Sequence, residues 1–216
     1  MAISHTAAPG DDALSDSDAP HGTRLDAQLA IERRRTLSLR DELARGEAQK
    51  DARIAAHLQA LLARLLDLRR LPRKIGGYWP IRNEPDLRPL YTELTKAGHR
   101  VGLPLVHKYR DNNRVLDFVQ WKPQSAMAPG RFGVPVPTSG NAVYVELLLL
   151  PCVGFHIGAD GMRHRLGYGG DYYDRTLASR RFKAIGVAYE SMRLPDFDAA
   201  EQDFSLDYIV TEEGVF

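Results

Sequence analysis

Apolar residues along the chain follow two spacings. Between residues 24 and 45, Leu25, Leu29, Leu37 and Leu43 punctuate a charged stretch. From 48 to 68, Ile54, Leu58, Leu61, Leu62 and Leu65 repeat at helical spacing. Both segments predict helices, with Gly46 interrupting them. After Pro72 the apolar runs shorten. Residues 74–79 predict a first strand that ends in the loop Pro80-Ile81-Arg82-Asn83-Glu84-Pro85. Asp86 then caps a predicted helix reaching Gly98, with Leu87, Leu90, Leu94 and Ala97 on one side. Residues 100–106 predict the next strand, and a strand–helix–strand order implies a parallel pair.

Further strands are predicted over 115–121, 143–150, 182–189 and 206–211, with a turn at 158–161 and a short helix over 175–180. The proline-rich stretch between 123 and 137 carries Gly130 and Gly133, and predicts irregular structure, a flap or a pocket wall. Trp121 precedes it and Phe132 lies within it. Each is a candidate to stack on a flat heterocycle, or an ordinary core aromatic.

Composition narrows the class. The chain has 216 residues, 44% of them hydrophobic, which suits one α/β domain over 23–216. Residues 1–22 carry Asp11, Asp12, Asp16 and Asp18 with little to bury, and predict a disordered acidic tail. With 29 basic and 28 acidic residues the net charge is +1, so nothing calls for nucleic acid or an anionic membrane as partner. No apolar run approaches the ~18 residues of a membrane span, and the start lacks the pattern of a secretory signal. The single cysteine, Cys152, excludes a disulfide within the chain and fits a reducing, cytoplasmic setting. It reads as a small buried hydrophobe or as a nucleophile; its place at the end of a buried strand favours the first. A monomer acting on small molecules is the expectation.

The stretch Arg165-Leu166-Gly167-Tyr168-Gly169-Gly170-Asp171-Tyr172-Tyr173-Asp174-Arg175 concentrates the candidate chemistry. Glycines between a strand and a helix form either a plain tight turn or a loop whose N–H groups converge on phosphate. Arg165 adds a forked cation and Asp174 a carboxylate suited to a divalent ion that bridges phosphates. The spacing matches neither a P-loop nor the dinucleotide fingerprint. Arg33-Arg34-Arg35 offers a second basic cluster, for phosphate or for solvent. Glu84 falls beyond the carboxyl end of a strand, where open α/β sheets place ligands.

Four segments together resemble the 5-formyltetrahydrofolate cyclo-ligase family: residues 78–87, 100–104, 165–177 and 206–212, in the family's order and spacing. The resemblance spans about 75–215. It implies a three-layer α/β/α fold with a mostly parallel sheet, and an enzyme that uses ATP and Mg²⁺ to close 5-formyltetrahydrofolate to 5,10-methenyltetrahydrofolate, releasing ADP and phosphate. It implies that Arg165, Gly167, Tyr168, Gly169, Gly170, Asp171, Tyr172 and Tyr173 meet ATP. Glu84, Tyr172 and Trp121 would meet the folate, and Asp174 and Asp203 the metal. No protein nucleophile is implied. Four features depart from the family pattern, one of them a turn from His156 to Arg165 about two residues longer than usual. Asp171 replaces a usual glycine. Phe155-His156 replaces Phe-Asp. The N-terminal Lys-x-x-x-Arg has no match near Ala27 and Ile31, leaving Arg24 or one of Arg33, Arg34 and Arg35 as stand-ins. These departures raise a second expectation, a diverged relative that binds nucleotide or folate without efficient turnover.

Overall fold

Leu147 to Leu150 are four consecutive leucines with no exposed surface. A strand buried on both faces needs cover on both sides, and the architecture follows from that demand. The computed structural model describes residues 21–43, 48–67, 74–106, 115–195 and 204–216. Of the predicted tail over 1–22, residues 1–20 lie outside what is described, as do Asp203 and the side chain of Arg24, whereas His21 and Gly22 are not tail but the start of a helix. In chain order the elements are α1 (His21–Leu43), α2 (Ala48–Asp67), β1 (Lys74–Gly76), α3 (Arg88–Lys96), β2 (Arg100–Leu105), β3 (Asp117–Trp121), β4 (Met127–Pro129), β5 (Pro135–Pro137), β6 (Leu147–Pro151), β7 (Gly154–Ile157), β8 (Arg163–Leu166), α4 (Tyr172–Ser179), β9 (Lys183–Val187) and β10 (Tyr208–Val210).

The main sheet runs β10-β9-β6-β1-β2-β3. Every neighbouring pair is parallel except β2–β3, where Gly102 stands opposite Gln120. This is the expected α/β architecture with a mostly parallel sheet. One core joins α2 (Ile54, Leu58, Leu61), α3 (Leu90, Tyr91, Leu94) and α4 (Leu177) to the leucines of β6.

Several boundaries differ from the sequence reading, each for a local reason. The strand expected over 143–150 begins only at Leu147, because Val143 donates its N–H to the Phe118 carbonyl (2.8 Å) and Glu146 to Lys74 (3.0 Å). The helix expected from 175 begins at Tyr172, since the Arg175 N–H already bonds the Asp171 carbonyl at 2.9 Å. Leu87, not Asp86, occupies the cap position of α3. Asp86 works from one residue earlier: its carboxylate accepts the Arg88 N–H at 2.9 Å and pairs with the Arg88 side chain. The proline-rich stretch holds the hairpin β4–β5. The segment before the glycine-rich loop forms a second hairpin, β7–β8, around the predicted turn. Leu29 and Leu37 of α1 are buried as expected, while Leu43 is exposed.

Candidate nucleotide and folate site

Two loops meet beyond the carboxyl end of β1, and the first is shaped by glycine and tyrosine. At Gly77 an added Cβ would lie 2.6 Å from the Tyr91 ring, so only glycine lets the chain pass there. Tyr91 braces the turn by bonding the N–H and the carbonyl of Tyr78, and the Tyr78 hydroxyl donates to the Pro85 carbonyl at 2.8 Å. Between these anchors Ile81 to Glu84 make a tight turn, closed by the Glu84 N–H on the Ile81 carbonyl at 3.0 Å. Arg82 and Asn83 both take positive φ, 47° and 59°, as the mirror-image turn requires. From α1, Asp41 holds the turn by accepting the Asn83 amide at 2.9 Å.

Glu84 projects inward from this turn and is only 5% exposed. Its Oε2 accepts the Ile81 N–H at 2.9 Å and its Oε1 accepts the Tyr168 hydroxyl at 2.8 Å. Burial raises its pKa to about 7, against the opposing pull of the Ile81 N–H, the Arg40 charge and Tyr168. Two of its four lone-pair positions are used, so it retains capacity to accept N–H groups from a ligand.

The second loop, 167–171, joins β8 to α4. Gly169 has φ 85° and Asp171 φ 57°, both left-handed. Glycine takes that conformation freely and Asp tolerates it. Asp171 thus keeps a glycine-like backbone while adding a carboxylate at the entrance of α4. That entrance presents unpaired N–H groups and the positive end of the helix dipole to the loop.

Arg165 lies beneath the loop, 9% exposed, with its guanidinium 5.5 Å from the centre of the Tyr173 ring. Its Nη2 donates to Oδ1 of Asp174 at 2.5 Å, and its Nε has no hydrogen-bond partner. Burial pushes the Tyr168 and Tyr173 hydroxyls well above the ordinary tyrosine range, so both are neutral donors at neutral pH. Burial likewise pushes Cys152 up to about 11, which makes it an inert thiol.

The structure therefore brings together Glu84, Arg165, the loop 167–171, Tyr173 and Asp174. Tyr172 is half-buried and meets the Phe132 ring edge-on, centroids 6.0 Å apart, so the tip of the β4–β5 hairpin touches the start of α4. Trp121 stands elsewhere: it is 6% exposed and packs edge-on against Tyr91 in the core. Among the described residues no group of three or more His, Cys, Asp or Glu could hold a metal. Asp174 by itself fits the part of one carboxylate on a Mg²⁺ that arrives with nucleotide phosphates and keeps its waters. A separate cleft of about 580 Å³ lies between β3 and the far end of α4, lined by Leu116, Phe118, Val143, Thr176 and Arg180, and holds none of these groups.

Helix α1 supplies two arginines that close the site. Arg33 Nε donates to the Gly167 carbonyl at 2.8 Å, and its guanidinium lies where a Cβ on Gly169 would meet it at 3.3 Å. Arg40 Nη2 donates to the Tyr168 hydroxyl at 2.6 Å. The three-arginine cluster pointed to Arg33 only as one of three, and no motif pointed to Arg40. Their signal is periodicity: Leu29, Arg33, Thr36, Leu37 and Arg40 fall on one stripe of a helix.

Comparisons with known proteins point to the same family. The sequence model of the 5-formyltetrahydrofolate cyclo-ligase family matches residues 28–212. The 5-formyltetrahydrofolate cyclo-ligase of Escherichia coli K12 is 31% identical over 141 residues, 62% of this chain and 74% of that one. Its counterpart in Mycolicibacterium smegmatis is 27% identical over 164 residues, 71% and 80% of the two chains. Among solved structures, the 5,10-methenyltetrahydrofolate synthetase of Aquifex aeolicus superposes with a TM-score of 0.68 at 27% identity, covering 87% of this chain and 91% of that one. The synthetase of Mycoplasma pneumoniae gives 0.64 at 26% identity, covering 85% and 98%.

Proposed function

The chain belongs to the 5-formyltetrahydrofolate cyclo-ligase family, and from that membership we propose that its site closes 5-formyltetrahydrofolate to 5,10-methenyltetrahydrofolate at the expense of ATP. The observation that carries this reading is the hydrogen bond from Tyr168 to Glu84, made across 84 positions of sequence. It joins a loop built for phosphate to a buried acid able to take the N–H groups of a pterin, so the two substrates meet at one place.

The chemistry needs no protein nucleophile. The formyl oxygen at N5 attacks the terminal phosphorus of ATP, the bond to ADP breaks, and the oxygen becomes part of a phosphate leaving group. The N10 nitrogen then attacks the formyl carbon, its proton is lost, and phosphate departs as the ring closes. Such transfer depends on alignment and charge neutralisation. The N–H groups of 167–171 and the start of α4 hold phosphate oxygens, with Arg165 and Arg33 supplying positive charge. Glu84 fixes the pterin, and Tyr172 with Phe132 forms an aromatic wall. Bound Mg²⁺ would neutralise phosphate charge, with Asp174 as its protein ligand. We take the protein to work as a cytoplasmic monomer on these two small molecules.

Asp171 favours a second reading, a relative that binds nucleotide or folate but turns over poorly, because its carboxylate stands at the phosphate loop. One assay separates them. Purified protein with 5-formyltetrahydrofolate, ATP and Mg²⁺ is expected to produce the methenyl chromophore. Binding of either ligand without that absorbance favours the second reading, and neither binding nor absorbance defeats both.

A further inference from the structure

Arg40 is 2% exposed on the inward stripe of α1, and no carboxylate among the described residues touches it. Its Nη2 donates to the Tyr168 hydroxyl at 2.6 Å, its Nη1 reaches the Cys152 carbonyl at 3.4 Å, and its Nε has no partner. A guanidinium stays charged at any ordinary pH, and burying it is costly unless a counter-charge lies close. On its hydrogen-bonded path that counter-charge is Glu84. The hydroxyl that accepts from Arg40 donates in turn to Glu84 Oε1 at 2.8 Å.

We propose that Arg40, acting through Tyr168, is a positioning residue for Glu84: it favours the ionised form of the acid, aims it, and ties it to the glycine-rich loop.

Polarity gives the chain a direction. A hydroxyl that accepts from a cation is a stronger donor, and a donor on a carboxylate favours its charged form. Tyr78, Tyr91, Tyr173 and Cys152 also face Glu84 from the elements packed on it, and burial keeps all four neutral. Arg40 is the cation that acts on the acid against desolvation. Tyr168 lies between Gly167 and Gly169, so a shift of the loop on binding a nucleotide would change the same hydrogen bond that sets the acid. Periodicity puts Arg40 on the inward stripe of α1 but does not signal its contacts, because the members of the chain come from α1, the turn after β1 and the loop before α4.

The proposal rests on reading Glu84 as the folate-contacting acid, but its first test does not. The ligand-free protein is labelled with ¹³C at the glutamate carboxyl carbons, and the Glu84 signal is assigned by its loss in Glu84→Gln. In Arg40→Met and in Tyr168→Phe its titration midpoint is expected to rise by about one pH unit. Arg40→Lys, which keeps the charge, is expected to restore most of the difference. Unmoved midpoints in folded Arg40→Met and Tyr168→Phe overturn the proposal whatever the activity does.

The second arm uses turnover. In the same two variants the acid limb of kcat/KM for the folate is expected to move to higher pH by the same amount. A loss equal at every pH, or one confined to ATP, overturns the assignment. A shifted midpoint in a protein that makes no methenyl product upholds the relay and removes the cyclo-ligase reading instead.

Discussion

Arg165 Nη2 and Asp174 Oδ1 stand 2.5 Å apart, the arginine side chain buried and the carboxylate about one-third exposed. The pair has two consequences of opposite sign. Asp174 neutralises a cation otherwise available to phosphate, and its outer face remains open to a metal. Replacing it with Asn therefore separates the roles. Asp174→Asn is expected to lower kcat/KM for ATP with Mg²⁺ by tenfold or more, roughly 1.4 kcal/mol. It is also expected to tighten binding of ADP when EDTA is present, because Arg165 is released. Calorimetry with and without metal reads both. Equal weakening under both conditions removes Asp174 from the metal's coordination.

Asp171 carries a left-handed backbone at φ 57°, where glycine alone has no steric cost. Asp171→Gly is expected to raise stability by up to about 1 kcal/mol by relieving that conformation, less what glycine adds to unfolded-chain entropy. It also removes an anion from the loop 167–171, so on the proposed phosphate role of that loop KM for ATP is expected to fall by a few-fold. Urea denaturation and steady-state kinetics measure the two effects separately. A rise in KM would show instead that the carboxylate helps to organise the loop.

Of the described arginines proposed to stand in for the family's N-terminal basic pair, Arg33 is the one that touches the loop 167–171. Its Nε fixes the Gly167 carbonyl and its Nη1 lies beside Gly169. Arg33→Met, which keeps the aliphatic stem, is expected to raise KM for ATP about five- to tenfold while leaving KM for the folate nearly unchanged. A change in the folate KM alone would place Arg33 outside the nucleotide site.

The parallel strands and the glycine-rich loop were legible because their signals are local. The leucine run at 147–150 and the turn chemistry at 167–171 declare themselves within ten residues. The same is true of α2, whose apolar face repeats at 3.6. What escaped the sequence is what depends on partners. Trp121 offers a stacking surface on paper, but Tyr91 claims it in the core. The β7–β8 hairpin lacks a long apolar run: Phe155 is buried while His156 and Arg163 line its edge, so alternation is too weak to read. Arg40 sits among charged neighbours on α1, and only the leucine-defined stripe distinguishes it from a solvated arginine. Glu84 was placed by its loop; its burial, and so its chemistry, comes from α1 and Tyr168, which the chain reaches far away in sequence.

That burial makes a prediction about stability. A glutamate in the unfolded chain titrates near 4.5, whereas in the folded protein Glu84 does so at about 7. Between those values the folded protein holds the proton more tightly than the unfolded chain, so stability falls as pH rises through the window. The favourable contribution is complete below 4.5, and above 7 the ionised group costs about 3 kcal/mol relative to that limit, at ~1.4 kcal/mol per pH unit. Glu84→Gln does not titrate. Its absolute stability depends on how the amide meets the Ile81 N–H and the Tyr168 hydroxyl, but its pH dependence does not. The unfolding free energy of Glu84→Gln minus that of the wild type is therefore expected to increase by up to about 3 kcal/mol between pH 4.5 and 8. Urea unfolding at four pH values across that range measures the slope. Parallel curves would mean that Glu84 ionises in the folded protein much as it does in the open chain, and that the carboxylate is far better solvated than its 5% exposure implies.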